Sequence, residues 1–262
     1  MSTVTSRTTQ AGEAGGAESY RDTVRRLAGA QKAAASGAPA YSLLVNRRVG
    51  RLLAAWAYRR GLTPNAVTGI SAVFTFTGIA MVATLEPTWW SGVAVWLALA
   101  IGYAFDSADG QVARLRGGGS LAGEWLDHVV DSFKLVSLHL AVLALSYRHL
   151  DLPDDRWLLV PIGFVAVASV SFFTMILNDL LRRVHAARQG TPLPAMTPSR
   201  LRQVLVVPTD YGVLCLSFVL LGLPTVFFGV YTFLFVASAG HLLLALLKWY
   251  RDMTRLEQRR AA

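Results

Sequence analysis

Long uncharged stretches alternate along this chain with short segments that carry nearly all of its charge. Residues 61–85, 87–105, 135–147, 157–178 and 211–247 contain no Asp, Glu, Lys or Arg. A helix crosses a bilayer core with roughly 20 mostly apolar residues, so 61–85, 87–105 and 157–178 are each long enough alone. The run at 135–147 reaches that length only if its helix begins near Ala122. That start carries Glu124, Asp127, Asp131 and Lys134 into or beside the membrane. The last run is long enough for more than one crossing, and Gly222-Leu223-Pro224 offers a turn within it. Taking 204–221 and 224–247 as two spans predicts an all-α, polytopic membrane protein with six transmembrane helices.

The segments between the runs have patterns of their own. Over residues 41–61, Leu43, Leu44, Val49, Leu52, Leu53, Trp56 and Ala57 alternate with arginines at helical spacing. This is the pattern of an amphipathic helix lying in the membrane interface. Thr63 is placed to cap the first span, with Pro64 at its first helical position and Asn65 after it. Trp89 and Trp90 suit the far interface. Residues 149–156 form the one sizeable external loop, and 190–199, with three prolines, a cytoplasmic turn. Residues 1–40 are polar and rich in Ala, Gly, Ser and Thr, without the apolar stretch of a signal peptide. About the first 18 read as disordered, and 19–32 as a short basic helix. Three parts are expected: an extension at 1–40, a transmembrane domain at 41–250 and a basic tail at 251–262.

Composition agrees with the membrane reading. Hydrophobic residues make up 53% of the chain and charged residues 16%, against roughly 25% charged in soluble domains. The formal net charge of +9 raises nucleic acid as a partner, but its placement argues otherwise. Arg47, Arg48, Arg51, Arg59 and Arg60 precede the first span, and Arg114 and Arg116 follow the second. Arg182, Arg183, Arg188, Arg200 and Arg202 lie between the fourth and fifth, and Lys248, Arg251, Arg255, Arg259 and Arg260 follow the sixth. The opposite loops hold only Arg148 and Arg156. This asymmetry is the positive-inside pattern, with both termini cytoplasmic. It accounts for the basic chain without nucleic acid and fits contact with anionic lipids. The one cysteine, Cys215, lies in an apolar stretch and reads as packing.

The chemistry concentrates between Phe105 and Lys134. Asp106 and Asp109 are three apart and Asp127 and Asp131 four apart, so each pair shares a face of its helix. Two antiparallel helices joined by the short Gly117-Gly118-Gly119-Ser120 loop can therefore aim four carboxylates at one volume. Such charges repel unless something neutralises them. Oxygen-only donors select a hard divalent cation such as Mg²⁺, for which Mn²⁺ can substitute. Gly110 allows close approach of a ligand, Arg114 offers a planar fork for phosphate, and the loop amides and Ser120 hydroxyl can face an anion. Metal, arginine and a carboxylate base together describe phosphoryl-group transfer. An ion or small-molecule transporter using the same acidic cluster is the alternative that these residues alone leave open. His128 sits one position off the carboxylate face and is not expected to be a ligand; His139 and His241 read as bundle-facing polar residues.

The run Asp106-Ser-Ala-Asp109-Gly110-Gln-Val-Ala113-Arg114, followed by Gly123, Asp127 and Asp131, resembles the complete signature of the CDP-alcohol phosphotransferases, and the similarity covers about residues 41–250. That resemblance implies a Mg²⁺-dependent transfer of a phosphatidyl or other substituted phosphate group from a CDP-alcohol, such as CDP-diacylglycerol, to an alcohol acceptor, with release of CMP, in phospholipid synthesis at the cell membrane. It implies two metal ions bridged by Asp106 and Asp127, with Asp109 completing one shell and Asp131 the other. Asp131 would also be the general base. Gly110, Arg114 and Ser120 would contact the CDP moiety, Gly123 would keep the helices close, and Thr63, Pro64 and Asn65 would form a second nucleotide-contacting element. Related enzymes commonly form homodimers.

The acceptor would be recognised by the later helices and cytoplasmic loops, where Lys134, Arg182, Arg200 and Arg202 are the expected contacts and Asn178, Asp179, Arg183 and Asp210 lie nearby. The Gly-rich loop is similar to that of actinobacterial phosphatidylinositol-phosphate synthases, whereas residues 175–184 lack the basic, alanine-rich run expected there. Asp127-His128 and Asp131-Ser132 instead resemble the choline and ethanolamine branch of the family.

Overall fold

The structure is a computed structural model that describes residues 18–29, 41–190 and 206–261, with side chains up to Leu256. Arg200 and Arg202, and most of the extension at 1–40, lie outside the described residues. Among the described residues every regular element is helical: α1 (Tyr20–Gly29), α2 (Arg47–Arg59), α3 (Pro64–Thr84), α4 (Trp89–Leu115), α5 (Leu121–His149), α6 (Leu159–Gln189), α7 (Tyr211–Ser217) and α8 (Pro224–Ala261). Five are long and apolar enough to cross a membrane: α3, α4, α5, α6 with its preceding turn, and α8. The chain is an integral membrane protein.

The fifth expected span, 204–221, differs in form: its described part is a shorter apolar helix and is not among the five long enough to cross. Residues 211–222 are one short α-helix continued by a 3₁₀ turn, together ~20 Å at the usual rise per residue. The turn at Gly222-Leu223-Pro224 then leads into α8, which continues unbroken past Lys248 to Ala261, so that residues 251–261 extend the last crossing.

α4 is the central helix, packed on α2, α3 and α7, with α5 against α3 and α6. Inside a bilayer no hydrophobic force drives helices together, and close packing by small residues takes over. Gly78 lies against Leu99, where a Cβ would come within 2.9 Å of the leucine side chain. Gly102 likewise faces Thr75, and its carbonyl accepts a hydrogen bond from Ser71 Oγ at 2.8 Å. The main core joins Val82, Val95, Leu99, Leu138, Leu145, Phe218, Phe227 and Tyr231. A second, smaller core lies at the end where α3 begins and α4 finishes. It joins Ala54, Ala55 and Ala57 of α2 to Phe105, Ala108 and Val112 of α4, with Val67 and Leu27. The opposite face of α2 leaves Val49, Leu52 and Trp56 exposed, as an interfacial helix requires.

Candidate active site

The site forms where three helix ends meet. Thr63 caps α3 by accepting from the Ala66 N–H at 3.2 Å, and Ser120 caps α5 by accepting from the Gly123 N–H at 3.0 Å. α4 ends between them in a glycine turn: Gly117 (φ 92°) and Gly118 (φ 136°) take positive φ, which glycine adopts without steric penalty. Their N–H groups donate back to the carbonyls of Arg114 and Ala113. Those two loop amides therefore close the helix instead of facing an anion, contrary to the expectation for this loop. The Ser120 hydroxyl, an acceptor in its cap, keeps its own proton to donate.

A cleft of about 710 Å³ opens among these ends, lined by Thr63, Pro64, Asn65, Thr68, Asp109, Gly110, Ala113, Arg114, Arg116, Gly118, Gly119, Ser120, Gly123, Glu124, Asp127 and His128. Each residue expected to contact the nucleotide is in its wall. Two helix N-termini point their positive ends at it, and two arginines flank it, so its chemistry favours a polyanion. A Cβ on Gly110 would meet only Arg114 Nη1, at 3.7 Å. Packing does not demand glycine there, and the missing side chain leaves the cleft open. Gly123 is different: a Cβ would lie 3.1 Å from both Asn65 Oδ1 and Ser120 Oγ, so its bareness lets α5 approach α3.

The four aspartates divide between the cleft and a pocket of protein behind it. Asp109, 7% exposed, sits at the base of the cleft, where its Oδ2 accepts from Thr68 Oγ1 at 2.6 Å and its Oδ1 from the Gly110 N–H. Thr68 was not anticipated from the sequence; its position one turn after Pro64, on the face that opens to the cleft, was the available signal. Asp127 also lines the cleft. Asp106 and Asp131 lie behind, joined by Lys134, whose Nζ is 2.6 Å from Asp106 Oδ1 and 2.5 Å from Asp131 Oδ1. Lys134 is itself 5% exposed and lies over the ring of Tyr211. It was expected to meet the acceptor; the structure instead makes it a counter-ion within the cluster, since a buried ammonium needs carboxylate partners.

Arg182, expected in the same role, pairs with Asp252 of α8 at 3.1 Å. Arg183 pairs with Glu124 at 3.0 Å and with Asp179 at 2.6 Å. These pairs tie α6 to α8 and to the start of α5, and Asp210 accepts from the Ser42 N–H at 3.0 Å.

Fully ionised, four carboxylates and one ammonium carry a formal charge of about −3, which one divalent cation would reduce to about −1 and two would more than offset. Asp127, His128 and Asp131 can each place one ligand atom within 4.8 Å of the others. His128 thus lies with the carboxylates although it is a step round the helix from them; the imidazole is long enough to reach back. Its Nδ1 is buried without a hydrogen-bond partner among the described residues.

Fold and site together define an integral membrane protein with an acidic cluster beside a cleft whose wall suits a polyanion. The family model for CDP-alcohol phosphatidyltransferases matches residues 61–246, and the chain belongs to that family. It is a transferase by class. A phosphatidylinositol phosphate synthase of Mycobacteroides abscessus is 40% identical over 82 residues, 30% of this chain. The aligned stretch spans about a third of that relative's length, 34%. Two crystal structures of the Mycobacterium tuberculosis phosphatidylinositol phosphate synthase are also similar. The complex with manganese and citrate has TM-score 0.48 and 22% identity, covering 76% of this chain and 87% of that one. The form with CDP-DAG bound has TM-score 0.48 and 23% identity, covering 79% and 94%.

Proposed function

We propose that this protein transfers a phosphatidyl group from CDP-diacylglycerol to the hydroxyl of an alcohol acceptor and releases CMP. The observation that carries this reading is the convergence of Asp109, Gly110, Arg114, Ser120, Gly123 and Asp127, from two helices, on one cleft open at the bundle's end. The cytidine and pyrophosphate occupy that cleft, with Arg114 and the N-termini of α3 and α5 on the phosphates. Thr63, Pro64 and Asn65 form the rim against the nucleotide, and the diacylglycerol chains extend between helices into lipid.

Asp106, Asp109, Asp127 and Asp131 are the residues that would hold two Mg²⁺ ions. When bound, these supply charge stabilisation to the transferring phosphate and to the attacking and leaving oxygens. Asp131 takes the acceptor's hydroxyl proton as that oxygen forms a bond to the β-phosphorus. The bond from that phosphorus to the bridging oxygen breaks, and CMP leaves with the oxygen. A carboxylate is a weak base for an alcohol, so positioning carries much of the acceleration. Lys134 keeps Asp106 and Asp131 together at the inner side of the site. The basic helix ends around the cleft support a cytoplasmic site in the cell membrane.

The test is CMP release by purified protein with Mg²⁺ and CDP-diacylglycerol, offered glycerol 3-phosphate, inositol 1-phosphate, inositol, serine or glycerol. Release with one acceptor names the product. Absence of release with all of them from other CDP-alcohols as well, although the metal binds, sinks the reading.

A further inference from the structure

The family match begins at residue 61, yet α1, far outside it, is built into the structure beside the donor cleft. Thr23 and Leu27 of this helix are each 1% exposed, and Leu27 belongs to the small core that contains Phe105, Ala108 and Val112 of α4. That is the stretch of α4 that carries Asp106, Asp109 and Gly110. Polar contacts fix the helix in register: Tyr20 Oη donates to the Leu52 carbonyl at 3.0 Å, and Arg59 Nη1 donates to the Glu18 carbonyl at 2.7 Å.

A chain of contacts then runs from α1 to the cleft. Arg26 lies over the Tyr58 ring, its guanidinium carbon 5.3 Å from the centroid, and Arg116 lies over the same ring at 5.9 Å. Two cations at one ring would repel, but Glu18, just before α1, supplies a counter-ion by pairing with Arg26 at 3.1 Å. Arg116 also donates to the Leu62 carbonyl at 3.0 Å. It lines the donor cleft on one side and, on the other, a cavity of about 610 Å³ shared with Glu18, Thr23, Tyr58 and Arg59. A guanidinium has five N–H donors, so the bond to Leu62 leaves others for the cleft.

We propose that α1 is a working part of the donor site: through Arg26 and Tyr58 it holds Arg116 as a second guanidinium, besides Arg114, for the phosphates of the CDP-alcohol. The proposal rests on the donor reading above. Arg116 binds substrate; Tyr58 and Arg26 are positioning residues, and the aromatic face fixes the guanidinium by cation–π attraction without using its donors.

The experiment compares full-length wild type with Arg26→Ala, Tyr58→Leu and Tyr58→Phe. It reads CMP affinity by calorimetry in detergent with Mg²⁺, KM for CDP-diacylglycerol, kcat, and melting temperature. Arg26→Ala and Tyr58→Leu are expected to raise the CMP Kd and the donor KM about 2- to 5-fold, the span of an exposed cation–π contact. Acceptor KM and kcat stay as in wild type, and Tyr58→Phe, which keeps the ring, binds CMP as wild type does. An unchanged CMP Kd in folded Arg26→Ala overturns the proposal, as does a lower melting temperature with normal donor KM, the signature of a purely structural helix. Failure of the wild type itself to bind CMP overturns the donor reading and this proposal together, which separates the two cases.

Discussion

Two polar clusters lie within the apolar helices of this protein, and they are built on opposite principles. In the middle of the bundle His139 Nδ1 and the Tyr231 hydroxyl are 2.7 Å apart, with the imidazole stacked on Phe164 at 4.0 Å between ring centroids. His139 is 1% exposed and Tyr231 fully buried. Nδ1 and the hydroxyl are partners within the chain, and their contact fastens α5 to α8. At the end of the bundle, four aspartates have one lysine among them, and two of the four, Asp109 and Asp127, line a cleft of about 710 Å³. The first cluster is internally paired and structural. The second reaches balance only with groups from outside, and that incompleteness is what marks it as the site.

Substitutions can break this contrast from either side. The largest effect is expected from Asp131→Asn, which removes the proposed base: turnover should fall about 10²- to 10⁴-fold in a CMP-release assay, while calorimetry still detects CMP binding. Turnover unaffected by that change would remove Asp131 from its role. Lys134→Met leaves Asp106 and Asp131 without their ammonium, and loss of one partner of a buried ion pair costs about 3–5 kcal/mol. Thermal melts should show a destabilised protein that Mg²⁺ rescues more strongly than it stabilises wild type; equal rescue would mean that Lys134 does not balance the cluster.

Gly110→Ala should separate stability from function. The position is helical and the added Cβ meets no packed atom closer than 3.7 Å, so stability should rise by up to about 1 kcal/mol from helix propensity. The methyl enters the donor cleft, and KM for the CDP-alcohol should rise about 10-fold, as small misplacements at a reacting centre do. Tyr231→Phe should do the reverse. It strands His139 Nδ1 and costs about 1–2 kcal/mol of stability, with donor KM and kcat unchanged.

The same contrast explains what could be read before the structure. The uncharged runs give α3, α4, α6 and α8 directly, because lipid demands continuous apolar length. α5 was legible from its carboxylates, which make sense only on a helix that starts before its apolar part. The aspartates, Gly110, Arg114 and Gly123 are legible because their geometry is local: two spacings on adjacent helices across one loop. Contacts between distant segments were not. Lys134 is three residues from Asp131, but its bond to Asp106 of α4 exists only once the helices are packed. Arg182 was legible as a basic residue near the site, not as the partner of Asp252, 70 residues later. The Gly117 and Gly118 amides look available in the sequence, and only the end of α4 shows where they go. The shortness of α7 was hidden within one apolar run.

The proposed completion of the cluster by metal and a CDP-alcohol underlies every step of the transfer. Its most direct test is CMP release from CDP-diacylglycerol by the purified protein with an acceptor, first with Mg²⁺, then with EDTA, then with Mg²⁺ restored. Release is expected with Mg²⁺, lost on chelation and restored with the metal. Release that continues unchanged through chelation would contradict it.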